Sequence, residues 1–550
     1  MMKAVLLSTF FFSCCLFAVS QDTISRADII TAGRVVGLTF KESEADSMLR
    51  DVRTNRNDYN NLRKYPLNNS TPITLAHSPL LPGMKFGSRQ LPVAWAIPAN
   101  VSVPANKNGL AFYSVLQLAS LIKSKKISSV ELTRFFLDRL HKYADTLECV
   151  ISYTQDIAME QARQADKEIA AGKYRGPLHG IPYGLKDLFS VKGTKTTWGA
   201  EPYKNQVLDE DAFVYSQLKK AGAVLVAKFT LGALAMGDYW YGGRTKTPWD
   251  LTRGSSGSSA GSAAATVAGL VPFAIGTETW GSIISPSTAC GATGLRPTFG
   301  SISRSGAMAL SWSLDKIGPI CRNAEDAAIV FNYIHGTDSL DASAVNRPFN
   351  YSGKADWKKL KIGYAKNYFD KITDTSSPDL KVLEVYRKLG ANLQPVVFPD
   401  SAVYNMDIMG IVIGGESAAL FDEFTRTEVD DMMTRQTRSD WPNSFRISRL
   451  IPAVEYLNAN RHRYLLMKAV HQLFKDYDVI ICPTWGGNQS AITNLTGHPA
   501  VCFPTGFNRI KLPTSITLLG KLYGDAAILS AAKAYQDATS WDEMHPELFR

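Results

Sequence analysis

The run Arg253–Ala265, RGSSGSSAGSAAA, gathers five hydroxyls and three glycines directly ahead of an apolar stretch that reads as a helix and then a strand. A serine at such a place could act as a nucleophile, because glycine lets the backbone turn sharply and a helix entrance aims side chains at a buried point. Composition alone would make the run a flexible linker, but a linker does not sit in the middle of a core. Gly257–Gly261 satisfies G-x-S-x-G, with Ser259 in the nucleophile position. The elbow that carries this motif needs a hydrophobic strand just before it, whereas TKTPWDLTRGSS precedes it here. It also needs a histidine; His462, His471, His498 and His545 lie downstream, none marked by a local motif. No H-E-x-x-H, Walker A or dinucleotide fingerprint occurs, so neither a metal nor a cofactor is expected.

Two further residues stand in similar settings. Lys186 follows an apolar run in GPLHGIPYGLKDLFSVKG, and Ser282 follows a glycine 24 residues beyond Ser258. Taken singly, a lysine after an apolar run is a snorkelling edge residue and a serine beside glycine is a turn residue. The order of segments changes that reading. GPLHGIPYGLKDLFSVKG, GSSGSSAGSAAA, GTETWGSIISPSTACGATGLRPTFGSISRSG, SLDKIGPICRNAEDAA, TNLTGHPAVCFPTGF and AYQDATSW together resemble the amidase signature family over roughly residues 110–545.

The resemblance implies a triad of Lys186, Ser258 and Ser282, with Ser258 joined through a cis peptide bond and Ser282 as nucleophile. Backbone N–H groups of Thr279, Trp280, Gly281 and Ser282 would form the oxyanion hole. It also implies a mixed central sheet covered by helices on both faces, in one large domain. The chemistry is coherent: a serine hydroxyl attacks only when a base removes its proton, and lysine is a base only when burial keeps it neutral. LGALAMGDYWYGG resembles the family segment that approaches the acyl group, which makes Met236, Trp240 and Tyr241 candidate pocket walls.

Two positions depart from the family pattern. Trp280 stands where a glycine is common, and tryptophan does not readily hold a positive φ. Ile284 stands where an arginine often pairs with the acid, here Glu278. The T-E-T-x-G-S form is similar to peptide amidases and to amidotransferase A-type relatives. QSAI, ahead of TNLTGHPA, lacks the acid that binding a glutamine donor would imply. The expected activity is therefore hydrolysis of a linear carboxamide, a carbon–nitrogen bond other than a peptide bond, through an acyl-enzyme. An amidotransferase A-type subunit, a histidine-dependent serine esterase with Ser259 as nucleophile, and a non-catalytic secreted binding protein are the alternatives.

The elements that must position these residues are legible in outline. Ser128 and Glu131 form a capping box for a helix whose Leu132, Phe135, Phe136 and Leu140 share one face. Val224–Ala227, Leu360–Tyr364, Val479–Cys482 and Ala500–Phe503 read as buried strands, and Ala212–Ala221 and Asp525–Gln536 as helices. Buried strands alternating with helices predict an α/β domain over 109–550. Residues 21–108 read as an extension, with short helices near 25–38 and 40–55, the second capped by Thr39 with Glu42, and then a proline-rich segment.

Before it, Met1–Ser20 reads as an export signal: one lysine, a largely apolar run of sixteen residues from Ala4 to Val19, and small residues at the cleavage point. Apolar residues continue past Cys14 and Cys15, against a lipoprotein. The expected location is secreted or periplasmic. Cys149, Cys290, Cys321, Cys482 and Cys502 remain, widely spaced and odd in number, which fits buried inert thiols better than a disulfide scaffold. N-x-S/T sequons occur at Asn68 and Asn494. The chain's 550 residues are 45% hydrophobic and 20% charged, which excludes disorder, and a net charge of +10 is modest for this length. The expected partner is a small-molecule amide, with no nucleic acid and no membrane span after cleavage; a homodimer is left open.

Overall fold

The computed structural model describes residues 24–65, 67–353, 357–400 and 406–550; the expected export signal lies outside the described residues. The chain divides into two compact units, one ending at Leu67 and one running from Asn68 to Arg550.

The first unit is a pair of helices, Arg26–Val35 and Glu42–Leu62. The capping box expected from Thr39 and Glu42 does not form. Lys41 is the cap, and its N–H donates to the Glu44 carboxylate at 2.7 Å. Glu42 instead pairs with Arg26 at 2.7 Å, and Arg26 also reaches Asp46 at 2.8 Å. A tertiary ion pair has taken the side chain that the local rule assigned to the cap.

The second unit begins at Asn68, ahead of residue 109, where the α/β domain is expected to start. The proline-rich segment lacks regular structure but is bonded into the larger unit. Asn69 exchanges two hydrogen bonds with the backbone of Ala309, at 2.9 and 2.8 Å, and Gln90 does the same with Phe349, at 3.0 and 2.9 Å.

Eleven strands form one mixed sheet: β1 Val150–Tyr153, β2 Pro182–Lys186, β3 Val224–Phe229, β4 Ala274–Glu278, β5 Thr293–Arg296, β6 Lys316–Cys321, β7 Ile362–Ala365, β8 Gln394–Val396, β9 Val479–Pro483, β10 Ala500–Phe507 and β11 Pro513–Gly520. Their spatial order is β1-β3-β2-β4-β6-β5-β10-β11-β9-β7-β8. β3, β2 and β4 run parallel, as do β9, β7 and β8, and the strands between them pair antiparallel.

Both faces are covered, which the alternation of strand side chains makes visible. Val224 and Val226 of β3 pack in one cluster with Leu140 and with Ala263 and Val267 of the helix Ala260–Val267. Leu225 packs on the other face with Leu218, Val330 and Phe136. The capping box of Ser128 and Glu131 forms as read, with reciprocal bonds of 2.8 and 3.1 Å at the head of the helix Ser129–Leu147. All five cysteines among the described residues are buried and unpaired.

Candidate active site

Lys186 is the last residue of β2, between β3 and β4, and no part of its side chain meets solvent. Its Nζ lies 2.7 Å from Ser258 Oγ, 2.8 Å from Thr277 Oγ1 and 3.2 Å from Ser259 Oγ. Three hydroxyls thus surround one amine, and among the described residues no carboxylate pairs with it. Burial pulls its pKa from 10.5 down to about 7, against the opposing pull of Asp315 and Glu278. Beside it, Asp187 and Lys228 form a fully buried pair at 2.9 Å, and Asp187 also accepts the Thr197 N–H at 2.7 Å. That pair anchors the loop leaving β2.

Ser258 reaches the amine from the glycine- and serine-rich turn that precedes the helix Ala260–Val267. The Gly257–Ser258 peptide bond is cis. Residue 257 must be glycine, since a Cβ there would lie 1.8 Å from the carbonyl oxygen of Gly237. Ser256, at φ 58°, shares a 2.7 Å hydrogen bond with Ser285 and donates its N–H to Asp238. The turn is therefore clamped from both sides and is no linker. Ser259 is not an exposed nucleophile. It is fully buried, and besides Lys186 its hydroxyl bonds the backbone of Thr277, at 3.1 Å to the carbonyl and 3.2 Å from the N–H.

Ser282 lies in the loop between β4 and the helix Ile284–Cys290. Its carbonyl accepts the Ser259 N–H at 3.1 Å, so the two serine-bearing loops are joined directly. Glu278, at the end of β4, folds back over the loop and accepts the N–H groups of Ile283 and Ile284 at 2.9 and 3.0 Å. The partner that Ile284 cannot provide comes from β5: Arg296 Nη1 meets Glu278 at 3.0 Å, and Asn494 Nδ2 meets the same oxygen at 2.9 Å. These partners hold the Glu278 carboxyl at about 2 despite complete burial. Asn494 is wholly buried, so its sequon offers no accessible acceptor.

Thr279 donates its hydroxyl to Asp315 at 2.6 Å, and Asp315 also accepts the N–H groups of Leu310 and Ser311 at 2.7 and 2.9 Å. Among the described residues, the N–H groups of Thr279, Trp280, Gly281 and Ser282 have no protein acceptor. The left-handed conformation that a tryptophan would resist falls on Gly281, at φ 83°, and not on Trp280. Trp280 itself is 39% exposed at the mouth of the loop.

A cavity of about 120 Å³ adjoins this arrangement, bounded by Thr277, Thr279, Leu188, Met308 and Asp315. From the segment expected to wall the pocket, Ala235 lines it, while Met236, Trp240 and Tyr241 do not. Met236 packs on the main core, and the rings of Trp240 and Tyr241 meet edge to face at 4.9 Å. Sequence reasoning missed Thr277, Asp315, Arg296 and Asn494. Thr277 and Asp315 sit inside quoted motifs, GTET and SLDK, and Arg296 inside GLRP. Nothing local linked Asn494 to them.

Known proteins resemble this chain in sequence and fold. Residues 131–490 match the Amidase family. The chain is 33% identical over 480 residues to the A subunit of the glutamyl-tRNA(Gln) amidotransferase of Coxiella burnetii, covering 79% of this chain and 99% of that one. It is 32% identical over 477 residues to the A subunit of the same amidotransferase from a Geobacter species, covering 78% and 97%. The solved peptide amidase of Stenotrophomonas maltophilia superposes with a TM-score of 0.70 at 25% identity, over 78% of this chain and 97% of that one. A bacterial aryl acylamidase of the amidase signature family shares the fold, with a TM-score of 0.69 at 23% identity, covering 79% and 98%. With the motifs, the mixed sheet and these likenesses all pointing one way, the chain belongs to the amidase signature family.

Proposed function

We propose that this protein is a stand-alone amidase that cleaves a linear carboxamide with Ser282 as nucleophile, Ser258 as proton relay and Lys186 as base. The observation that carries the reading is the buried amine of Lys186, 2.7 Å from the hydroxyl of Ser258, with its pKa near neutrality.

In the neutral form, Lys186 takes the proton of Ser258 while Ser258 takes that of Ser282. The Ser282 oxygen attacks the amide carbon. The negative charge that develops on the carbonyl oxygen is met by the uncommitted N–H groups of Thr279, Trp280 and Gly281, donors of a kind worth roughly 10²–10³ in rate. As the tetrahedral species collapses, Ser258 hands a proton to the leaving nitrogen, since an amide anion does not leave unprotonated. The amine departs and an ester on Ser282 remains. Water then gives a proton through Ser258 to Lys186 and attacks the ester; as the Ser282 C–O bond breaks, that proton returns to Ser282 and the acid leaves. Thr277 and Ser259 hold the lysine amine, and Glu278 with Arg296 holds the loop in register.

A second reading follows from the relatives at 33% and 32% identity: an amidotransferase A-type subunit that releases ammonia from an amide donor. The first half of the chemistry is common to both. The absence of an acid in QSAI, together with the export signal read at Met1–Ser20, favours the stand-alone enzyme working outside the cytoplasm. Mass spectrometry of protein treated with a fluorophosphonate tests the mechanism. The expected adduct is on the peptide containing Ser282, and Ser282→Ala is expected to abolish both labelling and turnover. Amide hydrolysis by Ser282→Ala at the wild-type rate would refute the assignment. Preferential ammonia release from glutamine, over simple acyl and peptide amides, would select the second reading.

A further inference from the structure

The wall of the cavity beside Thr277 and Thr279 includes a piece of chain that lies outside the family match. Asn69, Pro72, Ile73 and Ala76 line the cavity, whereas the match begins at residue 131. The segment is fastened at both ends. Asn69 exchanges its two bonds with Ala309, and His77 Nε2 faces Arg463 Nη2 at 3.1 Å while its ring packs edge-on against Phe299. Between those fastenings, Ile73 lines the cavity. Ile73 and Trp312 line this cavity and also a neighbouring, more open groove of about 340 Å³ that reaches Glu416 and Tyr456. Those two side chains are therefore the partition between an inner chamber and an outer one.

The inner chamber is small. A cavity of roughly 150 Å³ lined by aliphatic side chains accepts one benzene ring, and this one holds about 120 Å³. Its ionisable groups are already engaged within the protein, and burial favours the neutral form of Lys316. Arg304 is paired with Asp341 at 2.7 Å, Asp315 is satisfied by two N–H groups and Thr279, and the Lys316 amine donates to the Leu314 carbonyl. Leu188, Met308 and Ile317 supply apolar surface. A charged group entering there would lose its hydration without gaining a partner.

We infer that the segment Asn69–His77 is a specificity wall, with Ile73 and Trp312 confining one substituent of the scissile amide to a compact, uncharged group such as a phenyl ring or a short branched alkyl chain. This rests on the amidase reading above.

The test uses the full-length protein, its Ile73→Ala and Ile73→Trp variants, and two amide series, one graded in the acyl chain and one in the amine chain. Ile73→Ala joins the two chambers, and is expected to raise the ratio of kcat/KM for an eight-carbon over a two-carbon substituent at least about tenfold in one series. Ile73→Trp is expected to lower that ratio. Ratios within about twofold of wild type for both variants in both series would overturn the inference. A second readout does not depend on turnover: calorimetric binding of benzamide and decanamide to Ser282→Ala, with and without Ile73→Ala. Decanamide binding that appears only with Ile73→Ala upholds the wall even if the wild type hydrolyses neither series, which would sink the amidase reading alone. Equal binding of both amides regardless of residue 73 would overturn the wall.

Discussion

If Lys186 is the base, the pH dependence of catalysis must follow the protonation of one buried amine. An ordinary lysine with a pKa of 10.5 is neutral at pH 7 in roughly one molecule in 3,000; at about 7 it is neutral in roughly one in two. The fold thus supplies about a thousandfold in competent base, equivalent to about 4 kcal/mol. The cause is burial, with Asp315 and Glu278 pulling the other way. For a chromogenic amide followed from pH 5 to 9.5, log kcat/KM is expected to rise with unit slope below about 7 and to level off above it. Lys186→Arg retains the positive charge at every accessible pH. It is expected to lose at least about a thousandfold at pH 8 and to show no such plateau. Stability provides an independent check on the same group. Between about 7 and 10.5 the unfolded chain carries a proton on this lysine that the folded chain lacks, so this group's contribution to stability rises with pH through that window. A profile that is flat from pH 5 to 9.5, or one that still rises with unit slope at pH 9.5, would refute the role given to Lys186.

Arg296→Ala leaves Glu278 buried without its cation and is expected to cost about 3–5 kcal/mol in denaturant unfolding, with activity falling as the Ser282 loop loosens. A shift below about 1 kcal/mol would mean that the pair does not hold the loop. Gly257→Ala drives a methyl group into the Gly237 carbonyl, and is expected to suppress labelling of Ser282 while the far-ultraviolet circular dichroism stays that of the wild type. Labelling at the wild-type rate would show that the Ser258 turn tolerates displacement.

Short-range patterns carried much of this description. The strands Val224–Phe229, Val479–Pro483 and Ala500–Phe507 were legible because a short, uninterrupted apolar run fits a strand buried on both faces. The helix Ser129–Leu147 was legible from its cap, and the motifs that keep their order pointed to the closeness of Lys186 and Ser258. What escaped was set by distance along the chain. Arg296 reaches Glu278 across 18 residues and Asn494 reaches it across 216, so no window on the sequence joins them. The strand Thr293–Arg296 is too short to show a period, and Pro513–Gly520 opens on Pro-Thr-Ser, which reads as a loop. The unit boundary at Asn68 was hidden because a proline-rich segment has the same composition whether it links or packs. Trp280 looked costly only while its backbone conformation was unknown; the positive φ is one residue later.

The clasp of Asn494 on Glu278 also bears on when the protein can act. A growing chain emerges from its N-terminus, and Lys186, Ser258 and Ser282, the proposed base, relay and nucleophile, are all made by residue 282. Yet β5 pairs with β10, and the Glu278 carboxylate behind the Ser282 loop is gripped from the helix Gln489–Thr496. Most of the polypeptide must therefore be synthesised before the loop can be locked. On the reading proposed above, a nascent or truncated chain would carry all three side chains and is expected to stay inactive until the helix Gln489–Thr496 and β10 have folded against the loop.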